Sequence, residues 1–310
     1  MTNNLSQNKQ HIVNLLDKNE LLIKADLVHL SNLTEEEIAF LDKAWQEADV
    51  KRRRKIVSHL VQLSQEDFRL DFSSLFVFCL KEDDRIIRAQ AIAGLEQEEN
   101  YLHIPLLIEI LRKDKSTEVR EAATKVLGKF ALLGELDKLS QDDVSAVYSV
   151  LLEILDSDAE SNQLRCQALE AVAPLNMPRV KQLIEEAYRS DDTSLKISAI
   201  RAMGINNQPF WLDTLLGELD NSEFKIRYEA VRACGELGID MALPYILKIL
   251  ETGDSPMQEA AITALGEIGG EEARQALEVL KKNPKKRISN AAKIALKELD
   301  ICEDPLSFDF

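Results

Sequence analysis

The sequence predicts an all-α fold, an α-solenoid formed as a superhelix of about eight antiparallel helix pairs. Three observations carry that prediction. One pattern recurs along the chain: a basic or polar residue, alanine three positions later and an apolar residue seven positions later. It appears at Arg88, Arg120, Arg165, Lys196, Arg227, Gln258 and Ser289, with separations of 32, 45, 31, 31, 31 and 31 residues. A near-constant interval of this length is the signature of stacked supersecondary units, none of which can bury its apolar face alone. Each such stretch is preceded by an apolar quartet at i, i+3, i+4, i+7, for example Ile104, Leu107, Ile108, Leu111 or Leu243, Ile246, Leu247, Leu250. That spacing puts one stripe on one face of a helix. Finally, aromatic residues make up 5% of the chain and 11 glycines and 8 prolines are spread over 310 residues, a balance that favours helix over sheet.

In chain order, residues 1–33 fall outside the repeat. Leu5 to Leu16 and Glu20 to Leu30 read as short helices that cap the first repeat's exposed apolar end, with a partly frayed tail as the other reading. The array runs over 34–300. Thr34, followed three residues later by Glu37, is a capping-box signature, and Glu35 to Trp45 with Val50 to Leu63 forms the first, irregular pair. The quartets then open the first (A) helix of each pair, and the periodic alanines mark where the second (B) helices approach closely. In the unit Gly217 to Leu250, Gly235 and Gly238 are expected to end the B helix. The single 45-residue interval contains an insertion at about 131–146, either a longer inter-repeat helix or loop, or a place where binding specificity sits. Residues 301–310 form an acidic and aromatic tail. There Leu306, Phe308 and Phe310 either dock on a groove or remain disordered at a chain end.

The formal net charge of −16 repels phosphate backbones, so nucleic acid is disfavoured as a partner. Two basic runs, Lys51 to Lys55 and Lys281 to Arg287, lie far apart in the sequence and read as solvated edges. The polar N-terminal residues show no signal peptide, and no apolar stretch approaches the ~20 residues that span a bilayer. Cys79, Cys166, Cys234 and Cys302 are scattered, with no Cys-x-x-Cys pair. The expectation is a soluble, cytoplasmic protein without a disulfide framework or zinc site.

The units resemble HEAT repeats, specifically the short bacterial variety found in phycobilisome-lyase-like HEAT proteins. The pattern that carries the resemblance is seen at Asp114 with Val119, Arg120, Ala123, Leu127 and Gly128, and it covers roughly 34–300. The resemblance implies that loop aspartates and B-helix arginines join in ladders, which assigns Asp114, Arg120, Asp220 and Arg227 to structure. Gln258 and Ser289 depart from the basic residue, so the ladder is expected to fade towards the C-terminus. The resemblance also implies a non-catalytic scaffold or adaptor presenting a concave surface, armadillo-like in architecture, to another protein. A chromophore-lyase-like enzyme subunit or chaperone is the alternative.

Nothing in the residues argues for chemistry. HEAT-type hydroxylases hold two irons through repeated His-Glu pairs. Here His11, His29, His59 and His103 are followed by Ile12, Leu30, Leu60 and Ile104, so no such pair exists and neither metal nor cofactor is expected. Trp211 reads as core. By resemblance the B helices line the concave face, where the row five residues past the basic position includes Lys125, Arg201 and Arg232. Arg201 and Arg232, one repeat apart and near Tyr228, read first as ordinary surface charge, with a small positive patch that could receive an acidic peptide as the other reading. These four residues are the candidate binding site, on a monomer or weak oligomer.

Overall fold

The structure is a computed structural model that describes residues 2–17, 20–96 and 100–303, and no strand occurs among them. The chain divides into two compact units, 1–153 and 154–310. The first holds helices α1 (Thr2–Leu16), α2 (Glu35–Glu47), α3 (Val50–Glu66), α4 (Ser73–Cys79), α5 (Arg85–Leu95), α6 (Ile104–Lys113) and α7 (Thr117–Glu135), and most of α8 (Gln141–Leu155). The second holds α9 (Asn162–Val172), α10 (Pro178–Tyr188), α11 (Thr193–Asn206), α12 (Leu212–Glu218), α13 (Phe224–Leu237), α14 (Leu243–Thr252), α15 (Ser255–Ile268), α16 (Gly270–Leu280) and α17 (Lys286–Glu303). From α2 onward the helices alternate A and B, which makes the chain an all-α solenoid.

In the first unit, α1 packs on α2, and a 3-10 turn at Lys24–Leu30 packs on α3. Ile12, Leu15, Leu16, Leu27 and Leu30 are buried there, so these segments cover apolar surface at the start of the array. Thr34 opens α2 with both halves of the capping box formed. Each cap of this kind satisfies backbone N–H groups that the helix itself leaves unpaired. Asp84 and Asp49 do the same for α5 and α3, as do Asp192 and Asp254 for α11 and α15 in the second unit.

Within each unit successive B helices pack side by side, as in α3–α5–α7 and α9–α11–α13–α15–α17. The periodic alanines are the contact. Ala91, Ala123, Ala168, Ala199, Ala230, Ala261 and Ala292 are all wholly buried, and the apolar residue four positions beyond each is buried with it. Small residues let helix axes come close, and the A-helix quartets then seal the layer from the other side. In α8 the buried stripe is Val144, Val147, Leu151 and Ile154, whereas Tyr148 and Leu152 are only half buried. The quartet that the i, i+3, i+4, i+7 spacing predicts there, Tyr148, Leu151, Leu152 and Leu155, is displaced by one residue, because Val147, Val150 and Ile154 supply equally apolar alternatives.

The insertion lengthens the helices around it. The α7 helix continues to Glu135, and α8 begins at Gln141. Between them Asp137 adopts a left-handed conformation (φ 56°), with the Lys138 N–H bonded to Leu133 O at 2.9 Å and the Asp137 N–H to Gly134 O at 3.1 Å. This pair of bonds is a Schellman closure.

Gly235 does not end α13. The helix runs on to Leu237 and stops at Gly238, left-handed at φ 61°, while Gly235 is buried inside it. A methyl on Gly235 would come within 2.7 Å of Ala264 Cα, and one on Gly204 within 2.9 Å of Ala233 Cα. Neighbouring B helices are therefore too close at these points for any side chain.

Candidate functional site

At five of its seven occurrences the periodic polar position has the same task. Arg88 Nη1 donates to Glu82 O at 2.7 Å, Arg120 Nε to Leu111 O at 2.7 Å, and Arg227 Nη1 to Asn221 O at 2.6 Å. Gln258 Nε2 donates to Leu250 O at 2.8 Å and Ser289 Oγ to Lys281 O at 2.7 Å. Every one of these acceptors lies at or just beyond the end of the preceding A helix, where carbonyls lack helical partners. An ion-pair ladder is added to this, with arginine–aspartate rungs in the first unit. Arg54 reaches Asp84 at 2.5 Å and Arg88 reaches Asp114 at 2.8 Å, each B-helix arginine meeting the aspartate of the following unit. At Asp114 burial works against the charge, but the Arg88 guanidinium, the Ser116 N–H and Arg120 together outweigh it and hold the carboxyl below its ordinary value. Asp220 is exposed and takes no part in such a rung, while Lys196 supplies one to Glu218 at 2.9 Å.

The basic run at Lys51 to Lys55 is not a solvated edge. Arg52 donates to Leu15 O at 2.8 Å and Glu20 O at 2.9 Å, Arg53 pairs with Glu82 at 2.6 Å, and Arg54 forms the rung to Asp84. Three adjacent arginines thus clasp the N-terminal segment and the second helix pair to α3. In the second run, Lys281 pairs with Glu278 at 3.0 Å and Arg287 pairs with Glu259. Lys282, Lys285 and Lys286 are exposed.

On the open face of the second unit's B helices, Arg201 and Arg232 lie in a mixed-charge strip and do not form a free positive patch. Arg201 holds Glu229 at 2.6 Å and Glu170 at 3.5 Å, and Arg232 holds Glu229 and Glu236 at 3.5 Å each. Glu229 is buried between the two arginines. Tyr228 is half buried with its ring stacked on Phe224, centroids 6.1 Å apart. Lys125 belongs to the first unit and pairs with Glu96 at 3.0 Å. Leu306, Phe308 and Phe310 lie outside the described residues.

The same face carries a feature that the residue-by-residue reading passed over: Glu236, Glu267 and Glu298 recur at the 31-residue interval. The signal is the Gly-Glu dipeptide at 235–236 and 266–267. Each of the first two glutamates folds its carboxylate back over the buried glycine of the preceding B helix, Gly204 and Gly235. Shielding there, reinforced by Glu236 and Glu298 and opposed by Arg232, pushes Glu267 up to about 7. Glu236 is raised for the same reason.

Burial pushes the thiols of Cys79 and Cys166 up, and that of Cys234 up to about 12, so none is a ready nucleophile. Trp211 is core, with its indole N–H donated to Asn206 at 2.8 Å. Among the described residues no group of three or more His, Cys, Asp or Glu side chains is arranged to hold a metal ion, and no helix is long and apolar enough to cross a membrane.

Helix hairpins stacked at a 31-residue interval, sealed by alanine contacts and arginine rungs, define an α-solenoid of the repeat-protein class. The model of HEAT repeats matches residues 73–158 and 212–297, more than half of the sequence, and the chain belongs to the HEAT-repeat family. No curated protein sequence matches it. Among solved structures, the complex of CpcE and CpcF of phycocyanin lyase from Nostoc sp. PCC7120 is similar at 18% identity and a TM-score of 0.51, over 87% of this chain and 94% of that one. Importin beta aligns at 15% identity and a TM-score of 0.47, over 93% of this chain and 46% of that one. Human deoxyhypusine hydroxylase aligns at 17% identity and 0.36, over 96% and 98%. At these identities the likeness concerns the fold.

Proposed function

We propose that this chain is a non-catalytic scaffold or adaptor that binds another protein through the open face of its B helices, with Lys125, Arg201, Tyr228 and Arg232 in the contact. The observation that carries the reading is the strip from Glu170 through Arg201, Glu229 and Arg232 to Glu236. There alternating charges fixed at a regular interval offer a complementary pattern to a partner's side chains. Elsewhere the strongly placed polar groups are engaged in holding the solenoid together. The reading includes a cytoplasmic location, a monomer or weak oligomer, no nucleic acid, and a docking role for Leu306, Phe308 and Phe310. It also divides the chain into a cap at 1–33, repeats over 34–300 and a tail at 301–310.

A lyase-like enzyme subunit or chaperone is the second reading, and the likeness to the phycocyanin-lyase complex is what favours it. Affinity capture from native lysate followed by mass spectrometry separates the two. A stoichiometric protein partner, weakened about tenfold by Arg201→Glu with Arg232→Glu, is the expected result. Recovery of a tetrapyrrole or its carrier protein would overturn the scaffold reading.

A further inference from the structure

We propose that the furrow between α2 and α4, on the A-helix side of the first unit, is a docking site for a basic amphipathic helix of another protein. Helix α2 is 13 residues long and α4 only 7, and the hollow between them has a volume of about 590 Å³. Its floor is apolar, made by Ile38, Ala39, Val77 and Phe78. The floor is also fixed. Phe78 meets Trp45 edge-on with centroids 6.0 Å apart, the Trp45 indole N–H is donated to Glu82, and Arg53 holds Glu82 at 2.6 Å with both side chains largely buried. A preformed furrow costs a partner little reorganisation of this chain on binding.

Charge identifies the occupant. Glu35 and Asp42 stand exposed on the α2 rim, with Lys81 on the opposite side. The far side of α2 borders a second hollow of about 520 Å³, edged by Asp17, Glu47 and Asp49 beside Val13, with no cation in its lining. Helix α2 is thus a mainly acidic ridge between the two hollows, with Glu35, Asp42 and Glu47 against one exposed lysine, Lys43, and with Glu36 already paired to Lys9 at 3.0 Å. A helix with an apolar stripe between basic flanks matches both the floor and the ridge, with apolar anchors at i, i+3, i+4 and i+7. The net charge of −16 draws such a partner in from a distance. The same charge repels a second copy of the chain, and the chain's own C-terminal residues, with Asp304 and Asp309 among them, carry the wrong sign for an acidic ridge.

The test uses the full chain and a fluorescent synthetic peptide of about 18 residues, five helical turns, with leucines in one stripe and lysines elsewhere. A scrambled peptide of the same composition keeps the charge and loses the stripe. The expected result is binding that weakens about tenfold for the scrambled peptide, and about tenfold again when Ala39→Lys with Asp42→Lys replaces the native chain. Circular dichroism confirms that this variant is folded, and Glu35→Lys alone, at the rim, serves as a milder second variant. Equal binding of both peptides would overturn the proposal, since net charge alone would then suffice. So would an effect of Arg201→Ala with Arg232→Ala in place of the furrow variants, which would move the peptide to the B-helix face and leave the scaffold reading standing. Tighter peptide binding after deletion of 304–310 would make the chain's own tail the occupant. A dimer dissolved by Ala39→Lys would make it a second copy.

Discussion

At the scale of single residues, the aligned position at the start of the α5, α7, α13, α15 and α17 helices can do two separable things. Its side chain caps carbonyls at the end of the preceding A helix, and where it is arginine it can also reach the aspartate of the next unit. Gln258 and Ser289 keep the first task and drop the second, so the departure from the basic pattern removes ion pairs without removing the cap. Arg88 does both, and its pair with Asp114 is only slightly exposed. Asp114→Asn should cost about 1–3 kcal/mol in urea melts, since it leaves a shielded guanidinium underused. Asp114 is held below its ordinary value, so its contribution is present above the unfolded pKa of 3.8 and is lost as pH falls through the lower folded value. The variant and the native chain should therefore converge in acid. Glu267 has the opposite sign. Its folded pKa of about 7 lies above the ordinary 4.5, so its contribution is complete below pH 4.5 and is lost as pH rises through about 7. Glu267→Gln should raise the melting temperature at pH 8 and change it little at pH 4. Solvent on the open side of this partly exposed side chain keeps the gain small.

At the scale of elements, close approach of the B helices explains which glycines matter. Gly235 lies inside α13 against Ala264, whereas Gly217, exposed on α12, has no atom within 4 Å of where a methyl would stand. Gly235→Ala should destabilise by about 1–3 kcal/mol through forced separation of α13 and α15. Gly217→Ala should stabilise by about 0.5–1 kcal/mol, because helix propensity acts there unopposed. Thermal melts of the two variants should move in opposite directions. Both glycines look alike in the sequence. The interval of 31 marked where the B helices run and which alanines meet, since burial repeats with the helix period. Of the two glycines expected to end α13, Gly238 does and Gly235 does not, because a glycine that permits contact and a glycine that caps a helix carry the same letter. The α8 register slipped for a similar reason: five β-branched or leucine side chains in its second half fill two possible stripes, and packing chooses between them. Pairing across units was the least legible part. The charges of Arg201 and Arg232 could be read from the sequence, but Glu229, three residues from Arg232 and 28 from Arg201, became their shared partner only through the interhelical distance.

At the scale of the whole molecule, contacts in a solenoid are made between neighbours, so stability is a sum of unit terms and nearest-neighbour interfaces. Damage should then stay local. Leu215 is wholly buried in α12 and packs toward the B helices of the second unit, so Leu215→Ala removes contacts worth about 2–5 kcal/mol from that unit. Hydrogen exchange read by mass spectrometry should show faster exchange in α11, α12 and α13, a smaller increase in α9 and α15, and no change in α3 or α5, which belong to the other compact unit. A uniform increase over the whole chain would mean that the array unfolds as one cooperative body. The distinction bears on function. If opening is confined to one unit, a partner held on the B-helix face of residues 154–310 should protect those amides and leave the α2–α4 furrow free to engage a second partner, as an adaptor requires.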